Sequence, residues 1–264
     1  PIIEFRDTSN NDCVNCHVRN IKIDSYNGIS SQEEDVFKWI IIYGEYNEVS
    51  YCSFLGKNGV GSIINDNHNN STPDYSKIHH NYFADRVPVD NNVNGLNDQD
   101  AIRIGVSTTS LSNSFTEVYD NFFNNWSGEV EIISNKSGSN KYYNNTFRDY
   151  RKPSGAGSNT TGAINITNGK PNSALNEYYQ SKNVTVVNNT LVDCDFGVRV
   201  ATDQNSETTL APENLTIANN IMLNSDISAF QEVTVPTGTS IYEGNITQNG
   251  SWDLTNGVNS NQTV

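Results

Sequence analysis

Basic residues are scarce in this chain. Its 16 lysines and arginines stand against 30 aspartates and glutamates, a formal net charge of −14 at neutral pH. That deficit argues against nucleic acid and anionic membrane surfaces as partners. An acidic polymer, too, could be held only through a local cation or a basic cleft. Long apolar runs are also missing: the longest, Trp39-Ile40-Ile41-Ile42-Tyr43, is the size of a buried strand and far short of the roughly 20 residues of a membrane span. Four cysteines in 264 residues do not make a disulfide scaffold. Cys13 and Cys16 form a C-x-x-C, but no second such pair or histidine pair completes a zinc site, so a structural pair or two free thiols is expected. No Pro/Ser-rich linker divides the chain, and one domain over 1–264 is expected. The opening Pro1-Ile2-Ile3-Glu4-Phe5 reads as the inside of a strand and not as a signal peptide, so a mature or trimmed piece of a longer protein is expected.

What the chain does contain is a strand-and-turn composition. Hydrophobic residues make up only 35%, yet Val, Ile, Tyr and Phe recur at short spacing with Asn and Gly between them, too patterned for disorder. One motif repeats: an apolar residue, two variable ones, a small polar residue, one variable residue, then an apolar or aromatic one. It occurs at 21–26 around Asp24, 49–54 around Cys52, 78–83 around Asn81 and 118–123 around Asn121. It continues at 142–147 around Asn145, 186–191 around Asn189, 217–222 around Asn220, and weakly around Asn245. Successive centres lie 28, 29, 40, 24, 44, 31 and 25 residues apart. A floor near two dozen with upward excursions describes a fixed coil with loops inserted at a corner, which is solenoid behaviour. Without a helical period between the strands, the expected fold is an all-β parallel β-helix, with the asparagines stacked as an internal ladder that satisfies corner backbone groups. The excursions at 59–76, 84–104 and 151–179 are where a solenoid builds a cleft.

The stretch with chemical content is Gly128-Glu129-Val130-Glu131-Ile132-Ile133-Ser134-Asn135-Lys136-Ser137. Period-2 alternation turns Val130 and Ile132 inward and both carboxylates outward, side by side. Adjacent carboxylates on one face repel unless a cation lies between them, and an all-oxygen set favours Ca²⁺. One coil earlier, Asn97 offers an amide oxygen to the same face. Strict alternation puts Lys136 opposite the glutamates, so a corner near Ser134-Asn135 must reset the parity for the lysine to join them. The bland alternative is a solvated strand edge with a lysine gatekeeper.

Three strings, Ile78-His79-His80-Asn81-Tyr82-Phe83, Ala101-Ile102-Arg103-Ile104-Gly105 with Ser107-Thr108, and the Glu-x-Glu run through Lys136-Ser137, together resemble the polysaccharide lyases of family six. That family holds alginate lyases and the dermatan-cleaving chondroitinase B. Asn168-Gly169-Lys170-Pro171-Asn172-Ser173, with Asn183 and Asn188-Asn189-Thr190, is similar to its alginate lyase branch. The resemblance implies a right-handed parallel β-helix that cleaves uronate glycosides by β-elimination, with alginate as the acidic polysaccharide partner and secretion to the periplasm or beyond. By position it implies Asn97, Glu129 and Glu131 as calcium ligands and Lys136 as the base. The chemistry suits those residue types: a cation neutralises the substrate carboxylate and so acidifies the C5 proton, and beside a cation a lysine favours its neutral, proton-accepting form.

The family's general acid, an arginine in a Leu-Arg-His-Gly-like string on the coil after the lysine, has no counterpart here, as if about two coils were absent. With no gap in the register Thr167 takes that place, and Arg148 and Arg151 are the nearest basic substitutes. His79 or His80 is expected to face the cleft, Arg86 to clamp a substrate carboxylate through its bidentate fork, and Arg103 to touch substrate or pair with Glu129 or Asp100. Of Tyr142 and Tyr143, one must be core. Two other functions fit parts of the chain: a non-catalytic calcium-dependent polysaccharide-binding β-helix, favoured by the missing arginine, and a hydrolase of the polygalacturonase kind, for which Asp98 and Asp100 alone are thin support.

Overall fold

The computed structural model describes residues 1–26, 37–68, 72–88, 98–106, 112–129, 131–152, 162–169, 180–200, 210–233 and 235–254; Asn97 lies outside them. Among these residues there is no helix, and the strands stack in parallel into three long sheets of nine, eight and eight strands. The chain is a parallel β-helix, each coil giving one strand to each sheet. The alternation in the sequence explains why: every strand has one apolar face to bury, and stacking coil on coil buries all of them against one continuous core.

The asparagine ladder forms at the corner between the two eight-stranded sheets. Asn81 Nδ2 donates to Asn121 Oδ1, Asn121 to Asn145, Asn145 to Asn189 and Asn189 to Asn220, each at 3.0 Å, and Asn220 closes on Asn245 at 2.9 Å. The weakest sequence repeat is therefore a full rung. Each amide also donates to a backbone carbonyl of the coil below, as Asn145 does to Val118. These bonds serve corner peptide groups that the sheets leave unpaired. The residue before each rung takes a left-handed conformation, His80 at φ 55° and Asp120 at φ 53° among them, which throws its side chain out of the corner.

The first repeat is misplaced in the sequence reading. Val18 pairs with Val49 and Ile23 with Phe54, so the rung position of that coil is Ile21 and not Asp24. Apolar Ile21 there ends the ladder at the coil above, where the Cys52 amide donates to Asn81. Beside the ladder Phe54, Phe83, Phe123 and Phe147 stack at centroid spacings of 5.1, 4.8 and 4.7 Å, the separation of neighbouring strands. Cys13 and Cys16 form a disulfide; Cys52 and Cys194 are buried thiols. Tyr142 is the core tyrosine of its pair, its hydroxyl donating to Asn135.

Candidate active site

The nine-stranded sheet carries the site, and a small irregularity of the chain sets its geometry. Ile132 and Ile133 are both fully buried in the core, so the in–out alternation breaks between them. Glu131 faces outward before the break; after it Ile133 and Asn135 face inward, and Ser134 and Lys136 face outward. Asn135 is fixed inside by bonds to Asn140, Tyr142 and Ser181. The parity reset that brings lysine and glutamates to one face therefore lies at Ile132-Ile133, two residues before the corner expected from sequence.

The same doublet recurs once per coil: Trp39-Ile40, Ile63-Ile64, Ala101-Ile102, Ile132-Ile133 and Ala163-Ile164 are all buried in the core. Its second members stack in register, Ile40 on Ile64, Ile64 on Ile102, Ile102 on Ile133 and Ile133 on Ile164. The outward residue before each doublet therefore falls into one axial column, running Lys38, Ser62, Asp100, Glu131, Gly162. A second outward column, on the far side of the doublet, holds Asn65, Arg103, Ser134, Asn165 and Arg199.

At the centre of these columns the carboxylates of Asp100, Glu129 and Glu131 converge, with one oxygen of each within 4.8 Å of the others and all three residues buried. Burial first, and then the neighbouring carboxylate charges, push Glu131 up to about 7 and Glu129 well above the ordinary range. Asp100 is gripped on one side by Arg103, whose Nη2 and Nε donate to the same Oδ2 at 2.7 and 3.0 Å, while its other oxygen is buried with no partner. Arg103 also pairs with Asp98. Burial works against its charge, but the two aspartates outweigh that and hold the guanidinium further above its usual range. Of the two roles expected for Arg103, the structure shows the salt bridge to Asp100.

Glu129 is held from behind. The Gln99 amide donates to its carboxylate, and the Gln99 carbonyl is in turn a partner of Arg86 at 3.3 Å. Arg86 has no exposed surface, and its guanidinium also donates to the carbonyls of Lys57 at 2.7 Å and of Gly59 at 2.8 Å. A side chain at Gly128 would collide with Arg86, which is why glycine precedes Glu129. The sequence expectation of a substrate clamp thus gives way to a positioning role. Arg86 ends the strand Tyr82–Arg86 and pairs with Trp126, inside the stretch that the sequence reads as an inserted loop, and a charged side chain at a strand end carries no sequence mark of burial.

Lys136 follows the strand Glu131–Asn135, its amide donating to Ile104 at 2.9 Å. Its half-buried ammonium lies close enough to Glu131 and Asp98 to favour their ionised forms. The histidines lie elsewhere. His79 and its corner neighbour His80 belong to another sheet, where His79 bonds Glu48 at 3.1 Å and stacks on Tyr119 at 4.5 Å, and His80 stacks on Tyr51 at 4.8 Å. They do not join the acidic cluster, because the corner between sheets turns their strand to a different face of the solenoid. Arg148 is exposed on the third long sheet, and Arg151 is tied to Asp149, Asp195 and Asp226. Thr167 occupies the register position beside Lys136, its hydroxyl donating to the Asn135 carbonyl at 2.7 Å.

One arginine went unnoticed in the sequence. Arg199 is 2% exposed, with Nε and Nη1 lacking any hydrogen-bond partner. Burial lowers it to about 10, while the Glu131 charge opposes that shift. It packs against Gly162, where a side chain would strike its Cβ. The available signal was the alternation Phe196-Gly197-Val198-Arg199-Val200, which repeats the pattern around Arg103.

Buried carboxylates crowded together, one with an orphaned oxygen, fit a hard divalent cation with oxygen ligands. The chondroitinase B family model matches residues 1–152 and 154–261. Among solved structures the chain is similar to the PL6 family alginate lyase AlyGC, with a TM-score of 0.61 and 26% identity over 96% of this chain and 40% of that one. It is also similar in fold to a mannuronic acid specific family 6 lyase from human gut microbiota, with a TM-score of 0.59 and 23% identity over 93% of this chain and 61% of that one. A PL6 alginate lyase in complex with a trisaccharide shares the fold at a TM-score of 0.56 and 21% identity, over 88% of this chain and 65% of that one. The chain thus spans between two fifths and two thirds of the length of these relatives. No curated protein sequence matches it.

Proposed function

The chain belongs to the chondroitinase B family, and from that membership we propose that it is a polysaccharide lyase that cleaves alginate by β-elimination. The observation that carries the reading is the convergence of Asp100, Glu129 and Glu131 on the face to which the Ile132-Ile133 doublet also brings Lys136. Asp100, Glu129 and Glu131 would hold Ca²⁺, with the Asn97 amide as the further ligand that the sequence suggests. When bound, the cation would neutralise the carboxylate of the uronate being cleaved and so make its C5 proton acidic.

The remaining work falls to this chain's own side chains. Lys136 Nζ takes the proton from C5; the C4–O4 bond breaks and a C4=C5 double bond forms, leaving an unsaturated uronate at the new non-reducing end. Arg199, with Nε and Nη1 unpartnered and its charge within electrostatic reach of Glu131, would stabilise the carboxylate on which negative charge grows. Arg103 stays on Asp100 and Asp98 and orients them. Thr167 cannot supply the acid that an arginine would, so the leaving oxygen takes its proton from water. A polymeric substrate places the chain outside the cytoplasm, and the Cys13–Cys16 disulfide suits an oxidising compartment.

The second reading, a calcium-dependent polysaccharide-binding β-helix without catalysis, is favoured by one specific observation: threonine at the arginine's place. The test is the ultraviolet absorbance of the unsaturated product on alginate, with calcium, with chelator, and with Lys136→Ala. Calcium-dependent absorbance that the substitution abolishes supports the lyase. Calcium-dependent binding without absorbance on any uronate polymer supports the binder.

A further inference from the structure

The axial column before the buried doublets has an unexplained half. Below Asp100 and Glu131 it runs to Ser62 and then Lys38, neither of which the reaction above uses. Register fixes the placement: Ile40 pairs with Ile64 and Ile64 with Ile102. The Ile40 amide donates to the Ile63 carbonyl at 2.8 Å and the Ile63 amide to the Asp100 carbonyl at 3.1 Å. Lys38, Ser62 and Asp100 therefore rise in steps of about 4.8 Å, the spacing of neighbouring strands.

Each of the two residues has a feature that its surroundings do not account for. Ser62 is fully buried, yet its hydroxyl has no hydrogen-bond partner, an arrangement that costs free energy unless something else supplies the bond. Lys38 is half-buried beside Trp39, and no hydrogen bond or ion pair fixes its ammonium among the described residues. The ammonium lies within electrostatic reach of Arg103, Asp98, Asp100 and Lys136. In a chain of net charge −14, the cations Lys38, Arg103 and Lys136 gather beside the acidic cluster. If their only task were to offset the acidic cluster, Arg103 already does so for Asp98 and Asp100.

Resting on the lyase reading, we propose that Lys38 and the Ser62 hydroxyl form a second carboxylate-binding subsite. It holds the uronate next along the polymer from the one bound at the acidic cluster, so that the substrate runs along the solenoid axis. A polyuronate carries one carboxylate per sugar, and a protein of this charge needs a separate cation for each sugar it grips. Ser62 adds a directional donor to the point charge of the lysine.

The test compares wild type, Lys38→Gln, Lys38→Arg and Ser62→Ala on alginate and on oligouronates of increasing length. It reads the unsaturated product, calcium-loaded binding of saturated oligouronates by calorimetry, and Tm. We expect Lys38→Gln to raise KM and Kd about tenfold on substrates long enough to reach the subsite, with kcat nearly unchanged and no effect on shorter ones. Lys38→Arg should restore most of the loss. Ser62→Ala should weaken long substrates about threefold without lowering Tm, because its hydroxyl bonds nothing in the folded chain. Equal effects at every length, or unchanged KM and Kd, would overturn the subsite, as would a Lys38→Gln loss wholly accounted for by a lowered Tm. A wild-type chain that binds oligouronates without cleaving them overturns the lyase reading but leaves the subsite to be decided by the calorimetric length dependence.

Discussion

Replacing Arg86 by methionine separates two accounts of that residue. As a surface clamp on substrate, Arg86 could be lost with little effect on stability, and KM would rise. In the structure it is fully buried and donates to four carbonyls, at 2.7 Å to Lys57, 2.8 Å to Gly59, and 3.3 Å to both Gly61 and Gln99. Methionine fills most of the volume and removes the charge, so what it leaves behind is unpaired carbonyl oxygen. The two short bonds, each made by an ionised donor, contribute about 1.5 kcal/mol apiece, and the two long ones about half of that, which totals roughly 4 to 5 kcal/mol. In a chain of this size such a loss lowers Tm by about 7 to 10 °C. The Gln99 amide that supports Glu129 sits on one of the released segments, so apparent calcium affinity should fall as well. Thermal unfolding with and without calcium, beside steady-state kinetics, reads both effects. An unchanged Tm accompanied by a raised KM would refute the positioning role and restore the clamp.

Three further outcomes follow from the same geometry. In chelator, Tm should fall as pH rises from about 4.5 to about 7: burial and Asp100 raise the Glu131 carboxyl, so the folded chain binds the extra proton and loses that advantage as the proton leaves. Asp66 and Asp74, buried and raised to about 8, add a decline of the same sign that calcium leaves untouched. The part that calcium abolishes belongs to the cluster, and a slope insensitive to calcium would exclude metal binding there. Arg199→Met should abolish most product formation while leaving Tm unchanged or raised by a few degrees, since a buried guanidinium with unpaired donors costs stability; a large drop in Tm would show a structural arginine. Asn145→Ala should destabilise by about 2 to 4 kcal/mol in urea titration, because Asn145 donates to both Val118 and Asn189 and accepts from Asn121; a change under 1 kcal/mol would mean that the ladder is dispensable.

Some site residues were legible in the sequence because their positions are set locally. Glu129, Glu131 and Lys136 lie within one strand and its flank, and their order survives folding. Arg86 and the histidines were misread for a different reason. An arginine at a strand end carries no mark of burial, and whether His79 reaches the cleft depends on which face of the solenoid its strand occupies. Arg199 and Lys38 escaped notice because each meets the acidic cluster only after intervening coils of variable length have been wound in register.

By itself the sequence determined the coil. Apolar residues at strand period and an asparagine at a recurring corner dictate stacked parallel strands, since a strand with one apolar face and a corner with unpaired peptides have few other ways to satisfy both. Only the tertiary structure decided which outward side chains share a column. Insertions at the corners change the sequence separation between coils without changing the strand register. The buried doublets, not the count of residues, set which of Lys38, Ser62, Asp100, Glu131 and Arg199 come to face one another.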